Sequence, residues 1–291
     1  MQLTSEWLDY DISAGPVAAY LARPTAFTAP LPGVLVIQEV WGVDQHICDL
    51  VERFATAGYI ALAPDLYSAG GGRPAVLAPE RVAAGKEFLN TLPTGEWMAV
   101  LSDEHRRAEA LSVLSPPQAS EITETLTALF SAAGGDTDRH LTVLRAAHAF
   151  LRAHPACHEH PIGSVGFCLG GALSALLACH EPLLAAAVIF YGSSPSAEHV
   201  ASIRCPLRGF YGHDDPRIVS GLPAFEAALA EAGIDHHLRI YPDTGHAFFN
   251  DTRPSHRPHA ARDAWARTLA FFADTLAPAT TVALDEGAPG G

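Results

Sequence analysis

The chain has 291 residues, 48% hydrophobic and 17% charged, a globular composition with enough length to bury a substantial core. Its formal net charge of −14 argues against nucleic acid or an anionic membrane as partner. Five scattered cysteines (Cys48, Cys157, Cys168, Cys179, Cys205) without a C-x-x-C pair exclude a disulfide framework and point to a reducing compartment.

Met1 to Trp7 lacks the basic and apolar regions of a signal peptide, and no apolar run reaches membrane-spanning length, so a cytoplasmic protein is expected. Glu6–Tyr10 and Val17–Ala22 read as a hairpin, and the apolar run Gly33–Gln38 as a strand covered on both faces. A helix capped by Asp44 follows, with Ile47, Leu50, Val51 and Phe54 on one face, and then a strand at Tyr59–Ala63. Residues 70–137 are broken by Gly70-Gly71-Gly72 and several prolines into amphipathic pieces near Pro79–Leu92, Glu104–Leu114 and Gln118–Ala132. The chain's one lysine, Lys86, lies there.

A helix at Asp138–Arg152 restores the α/β rhythm, with further strands at Ile162–Val165, Ala185–Tyr191, Leu207–Tyr211 and His236–Tyr241. Helices at Val219–Ala232 and Arg262–Thr275 complete it. Strands alternating with helices imply a doubly wound, mainly parallel α/β sheet. The expected organisation is one domain over residues 1–276, a cap-like helical insertion at about 70–137, and a disordered tail at 277–291.

Between strand and helix stands Gly166-Phe167-Cys168-Leu169-Gly170-Gly171, a nucleophile elbow with cysteine where serine is commoner. The turn exposes the Cys168 sulfur at a helix N-terminus, where the dipole favours thiolate. The plain alternative is a buried structural cysteine beside a glycine-rich turn.

A thiol needs a base, and the base an orienter. In this fold they follow the nucleophile as acid, then histidine, each at a strand end. The strand at Leu207–Tyr211 runs into Gly212-His213-Asp214-Asp215, and that at His236–Tyr241 into Asp243-Thr244-Gly245-His246. His246 is therefore the expected base. Asp214 is the expected acid because Gly-x-Asp is the usual spacing, with Asp215 as competitor. Gln38-Glu39-Val40-Trp41-Gly42 ends the first buried strand, so Val40 and Leu169 are the expected oxyanion-hole N–H donors. Glu39 would lie near the sulfur, and a buried carboxylate calls for a functional reason.

These motifs, with Pro64-Asp65-Leu66-Tyr67 and Gly245-His246-Ala247-Phe248, resemble the dienelactone hydrolase (carboxymethylenebutenolidase) family of the α/β-hydrolase superfamily. The resemblance implies Cys168 as nucleophile, His246 as base, Asp214 as orienter and Glu39 as the acid that pairs with the resting thiol. It further implies no metal or organic cofactor and hydrolysis of a small lactone or enol ester. Trp41, Phe248 and Asn250 are the expected substrate contacts, and a monomer or homodimer is expected. A thioesterase, a general carboxylesterase or a silent ligand-binding protein of the same fold is the alternative.

Family members hold a substrate carboxylate with arginines, one of them four residues after the catalytic histidine. That position is Asn250 here, while Arg73, Arg81, Arg106 and Arg107 are unmatched candidates for another. A neutral Asn250 under an apolar cap implies a larger or less anionic substrate than dienelactone.

Overall fold

The continuous apolar runs form the middle of an eight-stranded sheet in a computed structural model that describes residues 2–93, 96–158 and 160–277. Strands β1 (Leu3–Ile12) and β2 (Gly15–Pro24) are a long hairpin at one edge, extending beyond the expected short strands. Then come β3 (Gly33–Ile37), helix α1 (Gln45–Thr56) and β4 (Ile60–Pro64). As expected, the Asp44 carboxylate caps α1, accepting from the Ile47 N–H at 3.1 Å.

The inserted segment holds α2 (Pro79–Thr91), α3 (Trp97–Ser102), α4 (Glu104–Leu111) and α5 (Pro116–Gly135). Sequence patterning misses α3, whose six residues are too few for periodicity to register. Helix α6 (Thr137–Ala153) leads to β5 (Ile162–Phe167), α7 (Leu169–His180), β6 (Ala186–Phe190) and α8 (Ala197–Val200). Strand β7 (Leu207–Gly212), α9 (Pro216–Val219), α10 (Leu222–Glu231), β8 (His236–Tyr241) and α11 (Pro258–Thr275) complete the order. Prolines set three of these starts: Pro216, Pro223 and Pro258 each lie in a first helical turn, where the missing N–H costs nothing. The helix expected over 219–232 begins at Leu222, after the separate short α9, and α11 begins four residues early.

The strand order is β1-β2-β4-β3-β5-β6-β7-β8, antiparallel as far as β4 and parallel from there on. Alternation along β3 divides the core. Leu35 and Ile37 face α6 and α7, while Val34 and Val36 face α1 and α11. A third cluster fills the insertion, where Val82, Phe88, Leu89, Leu126 and Leu129 pack with Val40, Trp41 and Tyr67 from the loops after β3 and β4. The amphipathic pieces thus close onto the C-terminal ends of the strands. The tail from residue 278 lies outside the described residues, and among these no helix is long and apolar enough to cross a membrane.

Candidate active site

Register brings the site together. Ile37 pairs with Gly166, and Phe167 with Phe190. Glu39, Cys168 and Tyr191 therefore leave three adjacent strands at about the same height. Cys168 itself has φ 56° and ψ −114°, a sparsely populated conformation for a side chain other than glycine. The two glycines around it are obligatory. A Cβ on Gly166 would stand 1.8 Å from the Gly170 carbonyl oxygen, and one on Gly170 would stand 2.2 Å from that of Ile37.

Cys168 is partly exposed, whereas Cys157, Cys179 and Cys205 are buried. Burial pushes those three thiols up to about 12, about 11 and about 12. Half-buried Cys48 is raised to about 12 by burial and then by the Asp44 and Glu52 carboxylates. Cys168 lies close enough to His246 for its charge to raise the imidazole pKa.

The loop after β8 turns His246 inward through two left-handed residues, Asp243 (φ 52°) and Ala247 (φ 58°). His246 Nδ1 lies 2.5 Å from Asp215 Oδ2. The acid against the base is thus Asp215, not Asp214 as the Gly-x-Asp spacing predicts. Asp214 faces solvent and meets His213 Nδ1 at 3.0 Å. The cause is a tight turn after β7, where the Asp215 N–H returns to the Gly212 carbonyl at 3.3 Å and buries the third residue past the glycine. Burial opposes a charge on His246, but the Cys168 thiolate and the Asp215 carboxylate outweigh it and raise its pKa to about 10.

Glu39 is buried, as a functional carboxylate would be, yet its oxygens are engaged by other groups. The Tyr191 hydroxyl donates to Oε1 at 3.1 Å, and Asn250 Nδ2 donates to Oε2 at 2.6 Å. Burial, then the charges of Glu39 and Cys168, raise the Tyr191 hydroxyl well above its ordinary range. Tyr191 also has positive φ (41°), so backbone strain marks it together with Cys168.

Two pocket expectations change. Asn250 is fully buried, and its amide serves Glu39 on one side and Thr252 on the other instead of facing a ligand. Phe248 is also fully buried, packed on Tyr191 and Tyr241 at ring distances of 5.5 and 5.3 Å as a core residue beneath the site. Trp41 is buried in the cluster beneath the insertion, edge-on to Phe130 of α5 at 6.5 Å.

The arginine that sequence patterning leaves out is Arg253. Its guanidinium lies over Trp41 at 5.4 Å and over Trp97 of α3 at 5.7 Å. Burial depresses its pKa, against the pull of the Glu39 and Cys168 charges. Its Nη1 is buried without a hydrogen-bond partner among the described residues. Of the arginines considered from sequence, Arg73 is committed to Asp65 at 2.6 Å, Arg81 to α5, and exposed Arg106 to Glu96. The Val40 carbonyl accepts from the Tyr67 hydroxyl at 2.8 Å, which fixes the loop after β3. A cavity of about 220 Å³ behind Tyr67, reaching Arg139 and His140, includes none of the expected site residues.

The model of the dienelactone hydrolase family matches residues 17–276. The chain is 31% identical over 267 residues to a Saccharolobus solfataricus protein named "Putative carboxymethylenebutenolidase", covering 90% of this chain and 96% of that one. A Salmonella typhimurium protein of the same name is 32% identical over 266 residues, covering 88% and 82%. Among solved structures, a "Putative Dienelactone Hydrolase" from Klebsiella pneumoniae superposes with a TM-score of 0.70 at 27% identity, covering 94% of this chain and 99% of the other. The dienelactone hydrolase of Anabaena variabilis, at 16% identity, TM-score 0.60 and coverage of 95% and 100%, shares the fold.

Proposed function

Because the chain belongs to the dienelactone hydrolase family, we propose that it hydrolyses a carboxylate-bearing lactone or enol ester through an acyl-enzyme on Cys168. The observation that carries this reading is His246, 2.5 Å from Asp215 and near enough to Cys168 for the sulfur's charge to raise the imidazole pKa. That is the nucleophile–base–orienter order of covalent hydrolysis.

In this reading the thiolate attacks the ester carbonyl carbon, and the N–H groups of Val40 and Leu169 receive the developing oxyanion. Collapse breaks the bond to the enol oxygen, and the His246 imidazolium protonates that oxygen. Water, deprotonated by the now neutral His246, then attacks the thioester. The second tetrahedral species expels the thiolate and leaves a carboxylic acid. Asp215 keeps Nδ1 protonated and Nε2 toward the sulfur. The unpartnered Nη1 of Arg253 supports an anionic substrate, since a buried guanidinium donor without an acceptor is costly until a ligand supplies one. This replaces the less anionic substrate that Asn250 implies.

The test is acyl trapping. Intact-mass analysis during turnover of p-nitrophenyl acetate is expected to show one acetyl adduct on Cys168, absent in Cys168→Ala, which is also inactive. Parent-like turnover by Cys168→Ala would end the covalent reading.

A further inference from the structure

Lys86, the only lysine in the chain, lies on α2 of the cap. Its Nζ donates to Asp44 Oδ2 at 2.8 Å and to Thr252 Oγ1 at 2.9 Å. The Thr252 hydroxyl reaches Asn250 Oδ1 at 2.6 Å, and Asn250 Nδ2 reaches Glu39 Oε2 at 2.6 Å.

The direction of this chain is fixed by chemistry. An ammonium only donates, so Thr252 Oγ1 accepts from Lys86 and turns its own hydrogen to Asn250. Asn250 Oδ1 also accepts the Thr252 backbone N–H at 2.9 Å, which fixes the oxygen on that side and leaves Nδ2 for Glu39. Every bond therefore runs from the cation on the cap to the carboxylate beside the nucleophile. Aligned donors of this kind polarise and strengthen one another. The next residue, Arg253, is held by Trp97 on α3. The cap thus touches the short segment 250–253 through two helices, and Asn250 in that segment holds Glu39.

We propose that Lys86, Thr252 and Asn250 are positioning residues that aim Glu39, and that its orientation beside Cys168 depends on a seated cap; the proposal rests on the reading of Cys168 as the nucleophile. With the relay intact, the Glu39 carboxylate is drawn toward Asn250 and Tyr191. With it broken at Lys86, the carboxylate turns to the sulfur, accepts the S–H and holds the thiol protonated.

The resting thiol reports this without any substrate, because burial keeps the other four cysteines protonated near neutral pH. Alkylation of Cys168 by iodoacetamide at pH 7, located by peptide mass, is expected to slow about tenfold in Lys86→Met, as the loss of one charge-assisted contact would cause. Thr252→Val should slow it equally, and the double variant no further, because the two act in series. Lys86→Arg restores the rate, and Arg106→Gln, on the cap but outside the chain, leaves it unchanged. In a Glu39→Gln background, Lys86→Met has no effect. An unchanged or faster rate in Lys86→Met overturns the proposal, as does the same slowing with Glu39→Gln. Should Glu39→Gln not fold, additive slowing in the Lys86–Thr252 double variant overturns it instead. Failure of the hydrolytic reading would show separately, as activity surviving in Cys168→Ala.

Discussion

At the scale of single residues, charge assigns the roles. Asp215 is buried against His246, and Asp214 is exposed beside His213. Asp215→Asn should therefore lower kcat by about a hundredfold or more, the range expected for a misoriented general base, while Asp214→Asn leaves steady-state rates near the parent's. Equal losses in both would break the assignment. The His246 pKa of about 10 has two consequences. Removing the thiolate in Cys168→Ala withdraws a charge that favours imidazolium, so His246 should titrate at lower pH, read from its ring resonances by NMR. The second concerns stability. A histidine near 6.5 when unfolded and raised when folded stabilises fully below the unfolded value and loses that contribution as pH rises through about 10. Denaturant midpoints of the parent and of His246→Gln should accordingly converge between pH 7 and 10.

At the scale of elements, the legible parts of the fold were those with a strong local signal. The elbow glycines, the Asp44 cap, the buried strands and the Gly-His loop are each visible within six residues or fewer, because backbone geometry there admits few residue types. Asp215, Arg253 and Tyr191 were not legible in the same way. Which of two adjacent aspartates faces inward depends on a turn closed by one 3.3 Å bond, and Arg253 reaches the site only because Trp97, on an unanticipated helix, is there to stack on it. Asn250 sits where the family pattern places a carboxylate-binding arginine, but its buried surroundings commit it to Glu39. Gly170→Ala would drive a Cβ to 2.2 Å from the Ile37 carbonyl and force β3 from α7, so loss of the cooperative melt is expected, not a modest shift. Asp44→Ala removes both the α1 cap and a Lys86 partner, and should cost about 1–2 kcal/mol of unfolding free energy in urea titrations.

At the scale of the whole molecule, two layers of helices support the sheet while the cap supplies a third core over the strand ends. Arg253 lies in the seam between body and cap, where the proposed function has it meet the substrate carboxylate. Arg253→Met should lower kcat/KM for a carboxylate-bearing ester by about tenfold to a hundredfold, the worth of one hydrogen bond to a charged group, and change a neutral ester of similar size little. Parallel losses on both esters would show that Arg253 holds the seam and does not read charge.

The same seam has a meaning for acylation of amines. With one lysine in 291 residues, side-chain amine chemistry on this protein converges on Lys86, which is mostly shielded at 13% side-chain exposure. An acetyl group there would erase the positive charge that faces Asp44 and Thr252, whereas methylation would keep it. A metabolic state rich in acyl donors would then meet the enzyme at the side chain that ties its cap to its body.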